Sequence, residues 1–243
     1  MSHSQDLSGD DGARYRVSAV WSHSFDPEWF RPGAWGSDAR PVDAGGRGGA
    51  WFVTAPGGEL VLRFYQRGGL MAHLSRDAYL RTGVARSRAF AEFDLLQRMV
   101  ERGLPVPAPV AAAFWPRAGA LYQAAILVER LESARPLPSV LGTLAAEHWT
   151  AVGRTVRWFH DEGIDHADLN GFNILWFKGS VYVIDFDKGR QRAQGLTGTR
   201  WQRRNLDRLH RSLLKLDWSD SPLGLDAAWE HVLAGYSEGA GHP

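Results

Sequence analysis

One segment of the sequence, from residue 144 to residue 187, constrains the fold more than any other. Apolar residues at helical spacing fill Leu144–Glu162, and a turn-rich segment, His166–Asn173, follows. Two β-type runs come next, Ile174–Phe177 and Val181–Ile184, joined by a short turn with a central glycine. We therefore predict a long helix, an irregular loop and a tight hairpin in direct succession.

Three side chains of this segment carry oxygen atoms at a spacing that suits phosphoryl transfer. Asn173 stands five residues after Asp168, and Asp185 stands at the end of the second strand of the hairpin. Phosphoryl transfer needs an acceptor for the proton of the attacking hydroxyl and oxygen ligands for Mg²⁺. We predict Asp168 as the catalytic base and Asn173 and Asp185 as the magnesium ligands. The alternative is a chance occurrence of these residues in a turn.

The neighbouring residues follow the catalytic loop of protein-kinase-like folds with one departure. His166 occupies the place of the loop histidine, and we expect it to hold the backbone by packing and hydrogen bonding. Asp187 stands where such loops have the glycine of an Asp-Phe-Gly triplet. It is either a further metal ligand or a solvent-facing carboxylate. No Walker A sequence is present, so the ordinary P-loop class is excluded.

The first half of the chain contains residues that suit a nucleotide-binding lobe. Residues 47–53 and 59–65 predict an antiparallel hairpin entered through the glycine-rich segment Gly45–Gly49, whose amides can cover phosphates. Arg63 stands where a kinase strand carries its phosphate-binding Lys, and Glu92 is its expected partner. A solvated helix acid is the alternative for Glu92. The residues that we assign to ATP binding are Gly46, Arg47, Gly48, Gly49, Arg63, Glu92, Glu129 and Leu131.

Strand patterns predominate before Leu131 and helical patterns after it. The further predicted elements are a helix over Ser87–Arg102, a strand over Leu121–Leu131, and helices over Trp201–Leu216 and Asp226–Tyr236. No element is assigned to the aromatic-rich stretch Tyr15–Arg40. We predict the α+β class and a protein-kinase-like two-lobed fold: an N-terminal antiparallel sheet with one main helix, a mainly helical C-terminal lobe, and an ATP cleft between them. The predicted lobes are residues 1–130, strand-rich and nucleotide-binding, and residues 131–243, helical and catalytic.

Composition limits the compartment and the class of partner. The 243 residues are 44% hydrophobic, enough to fill the core of a two-lobed domain, and the absence of cysteine excludes disulfides and thiolate metal sites. No apolar run approaches the roughly 18 residues of a spanning helix, and the amino terminus is polar, so we expect neither a membrane span nor a cleaved signal peptide. Basic residues cluster in residues 63–88 and 188–215. Arginine forks there suit an anionic acceptor, and a solvated basic face is the alternative.

Several motifs together are similar to a known family. In chain order they are Gly46–Gly49, Val61–Leu70, Arg88–Phe93, Gly103–Pro107, His166–Leu175, Ile184–Gly189 and Arg203–Leu209. On these segments the chain resembles the 3-deoxy-D-manno-octulosonic acid (Kdo) kinases of Gram-negative lipopolysaccharide assembly, relatives of the core heptose kinases. The catalytic loop alone matches many small-molecule kinases, whereas its combination with the Arg67–Leu70 segment is far more specific.

This resemblance implies ATP-dependent phosphorylation of the 4-hydroxyl of Kdo on a lipid A precursor. It also implies a peripheral protein on the cytoplasmic side of the bacterial inner membrane, with the family's catalytic Asp at the place of Asp168. The expected cofactors are ATP and Mg²⁺. The expected partners are the anionic Kdo-lipid A precursor and the inner-membrane surface, with no nucleic acid and no obligate protein partner.

Such an acceptor carries a carboxylate and phosphates on a fatty anchor, so its enzyme needs arginines near the sugar and apolar side chains near the bilayer. The apolar residues that mix with arginines are Leu70, Met71, Leu74, Tyr79, Leu80 and Trp201. The alternative for them is core packing between the lobes. Two other functions stay open: a kinase for core heptose or another small molecule, and a nucleotide-binding pseudokinase scaffold, which Arg63 and Asp187 suggest.

Overall fold

The computed structural model of the chain describes residues 4–9, 11–42, 49–65, 79–80, 83–118 and 121–239. The chain forms two units. Unit 1 comprises Met1–Glu101 and Pro107–Glu132, and unit 2 comprises Arg102–Val106 and Ser133–Pro243. Strands dominate the first unit and helices the second, which confirms the predicted α+β class. The ATP cleft expected between the lobes stays a prediction.

In its described residues, unit 1 is built on one antiparallel sheet of eight strands. In chain order they are β1 (Gln5–Ser8), β2 (Arg14–Val17), β3 (Ala39–Pro41), β4 (Ala50–Ala55), β5 (Gly58–Phe64), β6 (Tyr79–Leu80), β7 (Pro109–Pro116) and β8 (Leu121–Glu129). Their spatial order is β1-β2-β7-β8-β5-β4-β3, and β6 pairs with β8 outside this path. Because side chains alternate between faces, Leu60 and Leu62 of β5 share one buried face with Ala125 and Leu127 of β8.

The hairpin predicted from residues 47–53 and 59–65 is present as β4 and β5. Its register pairs Ala55 with Gly58 at the turn and Ala50 with Arg63 at the open end. The backbone N–H of Phe64 then donates to the carbonyl of Gly49 at 2.8 Å. Arg63 therefore lies beside the point where the glycine-rich segment enters the sheet.

Strand β7 is absent from our sequence-based prediction, because its alanine-rich segment between prolines has little β propensity. Its first six residues are nevertheless buried. The strand pairs with β2 on one side and β8 on the other, with one register shift between Pro109 and Ala111. Pairing with two neighbours outweighs the weak local preference.

The aromatic-rich stretch after β2 forms short 3₁₀ helices instead of a periodic element. They cover Ala19–Trp21, Pro27–Phe30 and Pro32–Asp38. Trp21, Trp29 and Phe30 are buried, and the rings of Trp21 and Trp29 meet edge to face with centroids 5.9 Å apart. Ring packing of this kind follows no fixed sequence period, which is why the stretch could not be assigned.

The helix predicted over Ser87–Arg102 is present as α1, Arg88–Glu101. Phe90, Phe93 and Leu96 recur every three residues, and all three are buried. Gly103 has a φ of +75°, a left-handed conformation that favours glycine and ends the helix.

Unit 2 contains helices and two small sheets. In chain order its strands and α-helices are β9 (Arg135–Pro136), α2 (Ala146–Asp161), β10 (Ile164–Asp165), β11 (Ile174–Phe177), β12 (Ser180–Val183), β13 (Arg190–Gln191), α3 (Arg200–Leu213) and α4 (Leu225–Glu238). β11 pairs with β12 and β9, and β10 pairs with β13. The predicted helices and hairpin are confirmed with small shifts at their ends. Among the described residues, no helix is both long enough and apolar enough to cross a bilayer.

Helices α2 and α4 approach each other closely at two glycines. A Cβ atom on Gly153 of α2 would lie 2.0 Å from the carbonyl oxygen of Val232. One on Gly235 of α4 would lie 2.0 Å from the carbonyl oxygen of Thr150. Neither position has room for a side chain, so the two backbones set the place of α2. The carboxyl end of α2 leads towards residues 166–173, the predicted catalytic loop.

Candidate active site

The catalytic loop is held by hydrogen bonds among its own residues. Asn170 caps a short 3₁₀ turn over Gly171–Asn173, and its Oδ1 accepts the backbone N–H of Phe172 at 2.9 Å. The backbone carbonyl of Asp168 accepts side-chain amides from Asn170 at 2.9 Å and from Asn173 at 3.0 Å. These bonds join Asp168 to Asn173 and leave the Asp168 carboxylate 62% exposed.

His166 supports the loop from its buried side, as expected. Its Nε2 donates to the carbonyl of Ile184 at 2.9 Å, and its Nδ1 accepts the backbone N–H of Asp168 at 3.1 Å. Burial lowers the pKa of His166, so the ring stays neutral with its proton on Nε2. Both ring nitrogens are thus occupied by backbone groups, and the residue serves structure instead of proton transfer.

Asp185 is brought beside Asn173 by the backbone. The N–H of Ile184 donates to the carbonyl of Asn173 at 3.0 Å. Asp185, the residue after Ile184, therefore follows the hairpin at a point beside the loop. Asp185 has a φ of +67°, a left-handed conformation that costs a non-glycine residue about 1–2 kcal/mol. Phe186 behind it is buried and stacks on Phe159 of α2, with ring centroids 5.7 Å apart. This anchor stabilises the strained turn.

A buried polar network, which our sequence analysis misses, ties α3 to the loop. Asn205 of α3 is 3% exposed, and its Oδ1 accepts the backbone N–H of His166 at 3.0 Å. Its Nδ2 donates to Oδ1 of Asp165 at 3.1 Å. The other oxygen of Asp165 accepts two N–H groups of Arg192, at 2.8 and 3.1 Å. The start of the loop is therefore fixed from two sides.

His160 of α2 extends this network. Its Nε2 lies 3.4 Å from Oδ1 of Asn205, and its Nδ1 lies 2.8 Å from the hydroxyl of Tyr236. Burial lowers the pKa of His160 to about 4, so the ring is neutral at pH 7. The sequence did hold a signal: Asn205 stands four residues from both Trp201 and Leu209, on the apolar face of α3.

The carboxylate of Asp168 forms an ion pair with Arg208 of α3. Nη1 of Arg208 donates to Oδ1 of Asp168 at 3.2 Å. The Arg208 side chain is 44% exposed, so the pair faces solvent. From the sequence Arg208 belongs only to a basic cluster, because 40 residues separate the two partners.

The two residues predicted to hold Mg²⁺ have suitable chemistry. The nitrogen of the Asn173 amide is used by the carbonyl of Asp168, so the amide oxygen is the atom that can face a cation. Among the described residues, no group of three or more His, Cys, Asp or Glu side chains could hold a metal ion. Mg²⁺ commonly binds one or two carboxylates together with substrate phosphates and water. Asn173 and Asp185 therefore fit the ion in company with a nucleotide. Asp187 is half-buried, which is compatible with either role named for it above.

Unit 1 brings together the predicted pair of Arg63 and Glu92. Nη2 of Arg63 donates to Oε1 of Glu92, and the hydroxyl of Tyr65 donates to Oε2. Burial, reinforced by the charge of Glu92, raises the pKa of Tyr65 well above its usual value, so the hydroxyl keeps its proton. Glu92 is 3% exposed, so the solvated-acid alternative is wrong. The buried carboxylate holds the guanidinium in place.

The glycine-rich part of the predicted ATP site is described only at its end. Gly46, Arg47 and Gly48 lie outside the described residues. Gly49 accepts the backbone N–H of Phe64, next to Arg63. The structure therefore groups Gly49, Arg63 and Glu92 at one end of β5.

Glu129 and Leu131 lie apart from that group. Glu129 pairs with Leu60, three residues along β5 from Arg63, and its carboxylate accepts the indole N–H of Trp21 at 3.4 Å. Leu131 follows the strand and is half-buried. Their assignment to ATP binding stays a prediction.

The expectation that Trp201 faces a membrane is wrong. Trp201 is 8% exposed, and its ring meets that of His160 edge to face with centroids 4.9 Å apart. It belongs to the core of unit 2. Leu70, Met71 and Leu74 lie outside the described residues, and only the backbone of Tyr79 and Leu80 is described, as β6.

Comparison with known proteins places the chain among lipopolysaccharide kinases. The model of the Lipopolysaccharide kinase (Kdo/WaaP) family matches residues 33–236. A 3-deoxy-D-manno-octulosonic acid kinase of Xanthomonas euvesicatoria pv. vesicatoria (strain 85-10) is 50% identical over 215 residues, which cover 87% of this chain and 84% of that protein. A protein of the same name from Xylella fastidiosa (strain M12) is 49% identical over 189 residues, covering 77% and 74%.

Two solved structures share the fold. WaaP in complex with acyl carrier protein has a TM-score of 0.56 and 18% identity, covering 92% of this chain and 86% of that one. Glucosamine kinase in complex with glucosamine, ADP and inorganic phosphate has a TM-score of 0.53 and 12% identity, covering 96% and 78%. At such identities the likeness concerns the fold alone, and it confirms the predicted kinase-like architecture. Because the family model matches most of its length and its relatives share half of their aligned residues, this chain belongs to the lipopolysaccharide kinase (Kdo/WaaP) family.

Proposed function

We propose that this protein transfers the terminal phosphoryl group of ATP to the 4-hydroxyl of Kdo on a lipid A precursor. Kinase activity in lipopolysaccharide biosynthesis follows from family membership, whereas the position of the hydroxyl and the lipid are parts of the proposal. The observation that carries it is the loop in which Asp168 and Asn173 share hydrogen bonds while the backbone sets Asp185 beside them. A proton acceptor and two oxygen ligands for a cation are what such a reaction requires.

In this proposal Asp168 handles the proton of the acceptor. Its exposed carboxylate accepts the hydroxyl proton as the hydroxyl oxygen bonds to the γ-phosphorus of ATP. The bond from that phosphorus to the bridging oxygen breaks, and ADP leaves with the negative charge. The amides of Asn170 and Asn173 on the Asp168 carbonyl keep the carboxylate in position throughout.

Arg63, Asn173 and Asp185 serve the phosphates. Arg63, held by Glu92, binds phosphate oxygens with its guanidinium in the place of the kinase lysine. Asn173 and Asp185 would hold Mg²⁺ with the amide oxygen and the carboxylate. The ion, when bound, supplies positive charge against the charge that develops on the transferred group. Chelation with EDTA should therefore stop turnover, and activity insensitive to EDTA would remove the metal role.

We place this reaction at the cytoplasmic surface of the inner membrane, because the acceptor is anchored in lipid. Arg200, Arg204 and Arg211 on the exposed side of α3 support that location. A basic residue near anionic lipid contributes about 1 kcal/mol of attraction, which salt weakens. Sedimentation with vesicles of anionic phospholipid should show binding that falls as salt rises, and equal binding to neutral vesicles would contradict this interpretation.

The function is tested with the purified chain, ATP and a Kdo-lipid A precursor. Mass spectrometry should show the gain of one phosphoryl group, and phosphorus–proton NMR should place it on the 4-hydroxyl. Asp168→Asn, which keeps the size of the side chain, is the matched control and should give no product on the same timescale. Transfer to heptose or an amino sugar with no reaction of Kdo would favour another small-molecule kinase. ATP binding without transfer would favour the scaffold.

A further inference from the structure

We propose that Arg208 binds the carboxylate of the acceptor sugar and thereby selects an acidic sugar as substrate. This inference rests on the proposed function and deepens it, since it names the chemical group by which the acceptor is read. Sequence analysis could say only that arginines near the site suit an anion. The structure singles out one of them.

The position of Arg208 is the first reason. Its Nη1 lies 3.2 Å from Oδ1 of Asp168, one of the two oxygens of the carboxylate that takes the hydroxyl proton in the proposed reaction. A general base lies about 2.6–3.2 Å from the oxygen whose proton it accepts. The guanidinium is then within about 6 Å of the reacting oxygen, which is close to the width of one sugar ring. An anion on the same ring as the reacting hydroxyl is therefore within its reach, and in Kdo that anion is the carboxylate.

The rigidity of its support is the second reason. Arg208 stands on α3 between two residues that bond the catalytic loop. Asn205 accepts the backbone N–H of His166 at 3.0 Å, and the hydroxyl of Ser212 accepts the backbone N–H of Gly171 at 2.9 Å. The helix and the loop are thus one rigid piece, and the base and the cation keep a fixed separation.

The exposure of the ion pair is the third reason. Asp168 is 62% exposed and Arg208 is 44% exposed, and ion pairs in such surroundings contribute little to folding stability. Stability therefore does not explain the pair. A guanidinium has five N–H donors in a planar fork, so it can keep Asp168 as a partner while it binds a carboxylate with two other donors.

The test uses two acceptors, the Kdo-lipid A precursor and the same compound with its Kdo carboxyl group methylated. For the natural protein, methylation should lower kcat/KM by about tenfold to a hundredfold, the effect of losing a charged hydrogen-bonding partner. Arg208→Gln should raise the acceptor KM by a similar factor, leave the KM for ATP within about twofold, and treat both acceptors alike. Arg208→Lys keeps the charge without the fork, and it should recover part of the preference for the carboxylate.

Arg154→Gln is the matched control. Arg154 of α2 forms an ion pair of similar exposure with Glu238 of α4 at 2.8 Å. The Arg154→Gln variant should behave like the natural protein with both acceptors. The thermal unfolding midpoint of Arg208→Gln should stay near that of the natural protein, because the lost pair is exposed. If Arg208→Gln lowers kcat alone, or keeps the preference for the carboxylate, Arg208 acts on the phosphoryl group or on Asp168 and the inference is wrong.

A binding measurement separates this inference from the proposed function. If the natural protein phosphorylates neither acceptor, the proposed function fails whatever Arg208 does. Calorimetric titration with free Kdo and its methyl ester then tests the inference without turnover. Binding that requires both the carboxylate and Arg208 supports it, and equal binding of the two sugars, or equal binding by Arg208→Gln, overturns it.

Discussion

Asn205 on α3 accepts a hydrogen bond from the backbone nitrogen of His166 at 3.0 Å, and this bond fixes the start of the catalytic loop. Asp165, the residue just before the loop, is also held by side chains from outside it, Asn205 and Arg192. A buried amide on a neighbouring helix therefore determines where Asp168, the proposed base, stands.

Asn205→Ala should lower both stability and turnover. Loss of a partner for buried polar groups costs about 1–3 kcal/mol of unfolding free energy. Displacement of the base by about 1 Å lowers kcat by roughly a hundredfold. Denaturant unfolding and steady-state kinetics under folding conditions measure the two effects. Asp207→Ala, at an exposed site on the same helix, should change neither. A folded Asn205→Ala variant with normal kcat would show that the loop stands without this bond.

Asp168→Asn should remove catalysis while it keeps nucleotide binding. The amide has nearly the same size but cannot take the acceptor proton, so kcat should fall by about 10²–10⁴. The dissociation constant for ATP, measured with a fluorescent analogue, should stay within about threefold of the natural value, since no phosphate contact is lost. Turnover close to that of the natural protein would exclude Asp168 as the base.

Arg63→Gln should weaken ATP binding and also lower the folding stability. Loss of a charged bond to phosphate should raise the KM for ATP by about tenfold or more, and the buried Glu92 would lose its ion pair with Arg63. Arg63→Lys should retain most of the affinity. Tyr65→Phe removes a hydroxyl that donates to Glu92, so it should lower stability by about 1 kcal/mol and leave the KM for ATP unchanged. An unchanged KM for ATP in Arg63→Gln would show that the Arg63–Glu92 pair has no role in nucleotide binding.

His160 should make stability depend on pH below neutrality. Its pKa is about 4 in the folded chain against an ordinary value of 6.5, so the unfolded chain binds the proton first as pH falls. The contribution of His160 to stability is complete above about pH 6.5, and about 3 kcal/mol is lost as pH falls to about 4. Urea unfolding across this range measures it. His160→Gln has no such titration, so the difference between its unfolding free energy and that of the natural protein at each pH isolates the contribution of His160. Parallel curves of unfolding free energy against pH for the two proteins would contradict the prediction.

Gly153→Ala should destabilise unit 2, although alanine is the better helix former by about 1 kcal/mol. The new methyl group would meet the carbonyl of Val232, and α2 would have to move from α4. Overpacking of this kind costs about 1–3 kcal/mol, measurable as a lower thermal midpoint and a lower kcat. Gly33→Ala, where nothing lies within 4 Å, is the control. A midpoint at or above the natural one would contradict the close approach.

The elements next to the loop could be predicted because their signals are local. Gly103 and Gly163 end α1 and the α2 region in left-handed conformations, and Lys178-Gly179 supplies the two positive φ angles of a tight hairpin turn. Strand β7 could not be predicted, since its alanines become a strand only between two neighbours. The prediction of a surface position for Trp201 was wrong because it relied on three arginines nearby in sequence. Packing against His160 buries the Trp201 ring.

The sequence by itself determined the candidate groups of the site and their order along the chain, because Asp168, Asn173 and Asp185 are linked by a short loop and hairpin. Only the tertiary structure decided which distant side chains meet them. Asn205 and Arg208 lie about 40 residues from their partners, and the packing of α3 against the loop selects them from many similar residues. Such selection depends on the relative placement of whole helices, which no local spacing encodes.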